Sequence, residues 1–335
     1  MSSATLTAIQ NSIVFNGYPT FMSLGYIGNI LIIIIFARQH QNACSIFLIS
    51  SAIANLTYLS FNCFTQLFPF YYRDETVRAF ILCKIRFYFG NVFGQSARIL
   101  VVAAALDRFM YTSNRANFRA LSTPKQAKWW VFGIVIFWPI FACHIPIMVT
   151  IVNGQCGTFG TYSIIYTIYL ILFVGLVPSI MVAVLGYLTY RHITQLRNRV
   201  QPIISSTINQ ANTNIRRRDR TLLILVMSES TVYFITTIPY SFINLEILVS
   251  KSVLTNKSAQ YSQIETFINA VAFLILYINN AIPFYIYLIT SGTFRQDVKQ
   301  LFVDIYRKPT RQPAAVRTNN ARRTILTKTQ RETHN

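Results

Sequence analysis

Seven stretches of this 335-residue chain are each long and apolar enough to cross a lipid bilayer. They run over about 14–37, 44–71, 80–111, 129–152, 161–190, 220–250 and 264–290. A membrane-spanning helix needs about 20 mostly apolar residues. Lipid offers no hydrogen bonds to backbone N–H and C=O groups, so a span is either a helix or part of a closed barrel. Barrel strands alternate apolar and polar residues with period two. The first run, with "GYIGNILIIIIFA", does not. No repeat of fixed period is present. The expected fold is an all-α membrane protein, a bundle of seven transmembrane helices. Only 12% of the residues are charged, about half the soluble share, which argues against the two or three soluble domains that this length would permit.

Charge placement sets the orientation. The net charge is +20, from 30 Lys and Arg against 10 Asp and Glu. Arg38 follows the first run, and Arg108, Arg115, Arg119, Lys125 and Lys128 join the third to the fourth. Arg191, Arg197, Arg199 and Arg216, Arg217, Arg218 and Arg220 lie between the fifth and sixth, and another basic series follows the seventh. Basic residues mark cytoplasmic segments, so the N-terminus is expected outside and the C-terminus in the cytoplasm. The surplus then serves topology and attraction to anionic lipid, and no nucleic-acid partner is expected. Residues 1–13 read as a short extracellular tail without a cleavable signal, and 14–290 as the helical domain. Residues 291–305 read as an amphipathic interfacial helix with Phe294, Val298, Leu301, Phe302 and Ile305 on one face. The segments 191–219 and 306–335 read as polar and flexible, the second as a basic cytoplasmic tail.

Of the five cysteines, Cys44, Cys63 and Cys143 fall at or inside helices, whereas Cys83 and Cys156 fall on the outer side. The secretory route allows disulfides there. A Cys83–Cys156 bridge is expected, with two free thiols as the alternative. Asn256-Lys257-Ser258 is an outer glycosylation sequon.

The third run ends in Asp107-Arg108-Phe109. Arg108 lies 25 residues after Cys83, about 37 Å along a helix, which puts it at the cytoplasmic mouth. A snorkelling base explains Arg108 alone but not the adjacent acid. In the sixth run Asp219 lies 20 residues before Pro239, about 30 Å below it. An Arg108–Asp219 ion pair would clamp the third helix to the sixth. Arg98 and Glu229 each lie ten residues deeper, at about 15 Å. An intramembrane charge is costly unless paired. The expectation is an Arg98–Glu229 pair, against a static cluster hydrated with Asn55, Asn91, Asn279 and Asn280.

These residues resemble the rhodopsin-like G-protein-coupled receptors, over about residues 20–303. Gly28-Asn29, Cys83, Asp107-Arg108-Phe109, Trp129 with Pro139, Cys156, Pro178, Pro239 and "NNAIPFYIY" stand in that family's order and spacing. "SGTFRQDVKQLF" resembles the short helix that follows the seventh span. The resemblance implies that Asp107, Arg108 and Asp219 form a resting-state lock which then engages a heterotrimeric G protein. It implies kinks at Pro178, Pro239 and Pro283 and a switch tyrosine at Tyr287. The intramembrane polar cluster of Asn29, Asn55, Arg98, Glu229, Asn279 and Asn280 is read from the residues themselves, Arg98 being unusual for the family. Three features depart from the family's pattern. Asn55 replaces the sodium-binding acid, and Thr237 replaces the helix-6 aromatic, leaving Tyr233 and Tyr240 as candidates for its role. The proline of N-P-x-x-Y is shifted by a residue.

Such a bundle admits ligand from outside, at Arg86, Asn91, Gln95, Asn244, Glu246 and Asn269. The third run has no acid between Cys83 and Leu106 to hold an amine, so a small peptide is favoured. Retinal would need a lysine in the seventh run, and 262–290 contains none. The alternative is a transporter or channel with an Arg98/Glu229 pathway, against which no inverted repeat is present. Neither H-E-x-x-H nor G-x-S-x-G occurs, and the four histidines are scattered. No enzymatic activity, metal or cofactor is expected.

Overall fold

The computed structural model describes the backbone of residues 3–38, 42–71, 77–113, 115–152, 155–199, 206–253 and 257–307. Asn256 and the tail from 308 onward lie outside them. The side chain of Asp219 also lies outside the described residues.

The chain is a multi-pass membrane protein with seven spans. The first three are α1 (Ser3–Ala37), α2 (Ala43–Tyr71) and α3 (Val77–Thr112). A one-and-a-half-turn helix, α4 (Ala116–Leu121), leads to the fourth span, α5 (Pro124–Phe141). Thr123 caps α5 by accepting from Gln126 N at 3.3 Å, and Pro124 at the first helical position forfeits only an N–H that would be orphaned anyway. After α6 (His144–Met148), strands β1 (Thr150–Val152) and β2 (Gln155–Gly157) pair antiparallel.

The fifth span is α7 (Gly160–Tyr169), a π-helical stretch (Leu170–Leu176) and α8 (Val177–Arg199). The sixth is α9 (Ser206–Val253), and the seventh is α10 (Ala259–Ile278). Ser258 caps α10 by accepting from Tyr261 N at 3.2 Å. After a turn, α11 (Pro283–Thr290) and α12 (Gly292–Arg307) follow.

Four expectations are corrected. Residues 3–13 continue α1 rather than forming a tail, since nothing from Ser3 to Phe15 breaks a helix. The fourth run ends in a strand, because β-branched Thr150, Ile151 and Val152 favour extended backbone. The segment 191–219 is helical through Arg199 and again from Ser206. The seventh run breaks at 279–282, where position 283 begins a new helix as its first residue.

Two clusters fill the half of the bundle nearest Cys83. One packs Tyr18, Tyr58, Leu59, Tyr277 and Ala281, with the Tyr18 and Tyr277 ring centres 4.7 Å apart. The other packs Cys83, Trp138, Ile145, Tyr166 and Tyr169. Gly25 lets α1 approach closely: a Cβ there would lie 2.9 Å from Ala281 Cα and would overlap Leu59 Cδ1. Two compact units are distinguished, 1–295 and 296–335. In the described part of the second, Gln300 Nε2 donates to Asp304 Oδ1 at 2.8 Å within helix.

Candidate functional site

At one end of α3, Asp107 and Arg108 are buried, at 1% and 2% exposure. Asp107 Oδ2 accepts from Arg108 Nε at 3.1 Å and from Nη2 at 2.5 Å. Ser122, just past α4, donates to Asp107 Oδ1 at 2.6 Å. Arg108 Nη2 also donates to Asn42 Oδ1 at 2.8 Å, at the head of α2. The guanidinium carbon lies 5.0 Å from the Tyr111 ring centre. The Asp-Arg pair is thus a hub joining α2, α3 and the α4–α5 link. Burial makes these bonds matter, because a buried charge stripped of its partner is costly. Ser122 and Asn42 escaped the sequence reading, which had no signal for them: both are ordinary polar residues in short connections, brought to Asp107 and to Arg108 respectively only by the fold.

Midway along α3 the expected Arg98–Glu229 pair is absent: no ion pair within 4.0 Å joins them among the described residues. Glu229 instead accepts from the Tyr287 hydroxyl, which joins α9 to α11. The Arg98 guanidinium lies over the Tyr233 ring, 5.2 Å from its centre. A phenol and an aromatic face meet the two charges separately. Both residues line one small polar chamber of about 40 Å³ with Asn55, Asn279 and Asn280, room for a few waters. Beside it, Asn29 donates to Gly25 O at 2.8 Å and to Asn280 O at 2.9 Å, and Asn55 donates to Asn29 Oδ1 at 3.3 Å. Asn279 Nδ2 is buried without a partner among the described residues.

Tyr233 also donates to the Val174 carbonyl in the π-helical stretch. In a regular α-helix that carbonyl would receive the N–H of residue 178, but residue 178 is proline and has none. The proline thus interrupts the backbone ladder next to this carbonyl, to which a tyrosine of the sixth span donates. Pro239 lies within the continuous α9.

Toward the Cys83 end, α1, α2, α3, the fifth span, α9 and α10 enclose a cavity of about 340 Å³. Of the six residues expected to meet a ligand, Arg86, Asn91 and Asn269 line it, and Gln95, Asn244 and Glu246 do not. Gln95 donates to the Tyr169 hydroxyl at 3.3 Å, which itself donates to Asn91 Oδ1 at 2.7 Å. Asn244 donates to Tyr240 O at 2.7 Å within α9, and Glu246 accepts from the Tyr261 hydroxyl. Both sit past Pro239, where Asn244 bonds back to its own helix and Glu246 meets α10. Arg98 reaches both chambers.

A Cys83–Cys156 disulfide fixes this end, with Cα atoms 5.8 Å apart. The hairpin register pairs Ile151 with Cys156, and so carries the sulfur back over α3. Nearby, Lys257 Nζ meets Glu265 Oε1 at 2.6 Å, where Ser250 also donates at 2.6 Å, tying the end of α9 to α10.

The sequence matches the family described as 7 transmembrane receptor (rhodopsin family) over residues 28–287. It is 20% identical over 291 residues to the melatonin receptor type 1A of Phodopus sungorus, covering 84% of this chain and 77% of that protein. It is 22% identical over 236 residues to a Gq-coupled rhodopsin of Mizuhopecten yessoensis, covering 66% of this chain and 47% of that protein.

Proposed function

Because the chain belongs to the rhodopsin family of seven-transmembrane receptors, we propose that it is a plasma-membrane receptor, with its N-terminus outside, that couples an extracellular ligand to a heterotrimeric G protein. The ligand enters the cavity at the Cys83 end. The signal is the opening of α9 away from α3 at the Arg108 end, which exposes a basic surface to the G protein. One observation carries this reading: a single helix, α3, bears an accessible cavity at one end and a buried Asp107–Arg108 hub at the other. The orientation rests on the basic residues clustered at the Arg108 end.

Between the two ends, Arg98 and Tyr233 give a contiguous path. Arg98 touches both chambers and the Tyr233 ring, and Tyr233 bonds the fifth span. The Tyr287–Glu229 bond holds α11 to α9. These contacts are the candidates for repacking when the bundle switches. A small peptide is favoured over an amine, since no acidic side chain lines the cavity among the described residues. Retinal attachment has no lysine there to use.

The test is basal nucleotide exchange on G proteins in membranes bearing wild type or Asp219→Ala at matched surface levels. Higher exchange in the variant is expected. No stimulation of any G-protein class by either form would remove the coupling proposal.

A further inference from the structure

We infer that the ligand carries a carboxylate, and that Arg86 is the group that reads it. This deepens the receptor reading and rests on it. The cavity near Cys83 has two charged side chains in its wall, Arg86 and Arg98, and both are basic. They lie twelve positions apart on α3, about 18 Å along its axis. Arg98 has the Tyr233 ring beneath it. Arg86 has no hydrogen-bond or ion-pair partner among the described residues, although Tyr18, Tyr240 and Tyr58 lie near it in the same wall. Among the described residues of this end, two acids are engaged elsewhere: Glu265 holds Lys257 and Ser250, and Glu246 holds Tyr261.

The wall around Arg86 carries neutral polar groups such as Asn62, Gln66 and Asn91, and a guanidinium held there inside a membrane bundle without a counter-charge is unfavourable. A planar carboxylate fits its fork with two parallel hydrogen bonds and supplies the missing charge. A cationic ligand would be repelled by both arginines. Asn269 Oδ1 is buried without a partner among the described residues and lines the same cavity, ready to accept from an N–H of the ligand. At about 340 Å³ the cavity is near the small end of ligand sites. It suits a small organic acid or the C-terminal residues of a short peptide, which share the carboxylate.

The experiment is thermal unfolding of the full-length purified protein with four probes at millimolar concentration. They are Phe-Phe, its C-terminal amide, 3-phenylpropionate and 3-phenylpropanamide. At least one acid is expected to raise Tm by about 2–4 °C while its amide does not, and Arg86→Gln abolishes the shift. A shift from the dipeptide acid alone assigns the carboxylate to a peptide terminus, and one from 3-phenylpropionate assigns it to a small acid. Ligand-free Arg86→Gln is expected to melt no lower than wild type, because no native partner is lost. Equal shifts by acids and amides, no shift by either acid, or a shift that survives Arg86→Gln overturns the assignment. So does a ligand-free variant that melts well below wild type, which would make Arg86 a structural residue. If the acids fail while Asp219→Ala raises exchange, the receptor reading stands and only the ligand class falls.

Discussion

Replacing Ser122 with alanine tests the resting hub at a residue that touches it through one bond. Ser122 donates to Asp107 Oδ1 at 2.6 Å, and Asp107 is 1% exposed. A hydrogen bond to a buried charged group contributes about 1.5–3 kcal/mol. If the bond belongs to the closed arrangement alone, its loss shifts the closed-to-open ratio by about 10- to 150-fold. Basal exchange of a labelled non-hydrolysable GTP analogue should then rise about tenfold or until the open state saturates. Ser122→Thr keeps the hydroxyl and should stay near wild type. The reasoning is refuted if Ser122→Ala lowers the melting temperature but leaves basal exchange at the wild-type level. The bond would then be present equally in both states, and serve only to hold the α4–α5 link.

Other perturbations test the remaining parts. Gly25→Ala places a methyl 2.9 Å from Ala281 Cα; overpacking costs about 1–3 kcal/mol, more than the helix-propensity gain of about 1 kcal/mol, so the melting temperature should fall. Gly133→Ala, with nothing within 4 Å of the added carbon, should hold or raise it. Tyr233→Phe removes the donor to the Val174 carbonyl, and a melt should show a loss of about 0.5–1.5 kcal/mol. Cys83→Ser opens a bridge that spans 73 residues; a loss of about 2–4 kcal/mol is expected, matched by adding reductant to wild type and absent when reductant is added to the variant.

The Cys83–Cys156 bridge was legible because those two cysteines share the outer side. The ends that Asp107, Arg108 and Arg86 occupy were legible because each depends on counting along one helix. The ion pair expected for Arg108 was with Asp219, and the bond to Asp107 was not foreseen. Depth in the membrane is rise per residue times number of residues, so spacing from Cys83 fixes which end a residue occupies. The same counting put Arg98 and Glu229 at one depth, and both do line one chamber. It failed on the pairing. Equal depth does not fix the rotation of each helix about its axis, and Glu229 turns to Tyr287 while Arg98 turns to Tyr233. Asn244 and Glu246 failed for the same reason: they lie at the ligand's end but not on the cavity's face.

By itself the sequence determined the number of spans, the helical fold and the end at which each charge sits. These follow from the cost of bare backbone in lipid and from the fixed rise of a helix, and neither depends on neighbours. Only the tertiary structure decided which polar groups meet: Ser122 with Asp107, Tyr287 with Glu229, Tyr233 with the Val174 carbonyl, and Arg86 with no hydrogen-bond or ion-pair partner among the described residues. Azimuth, break points and loop paths are set by side-chain packing between helices, and in a bundle that is apolar nearly all round, hydropathy carries no record of them.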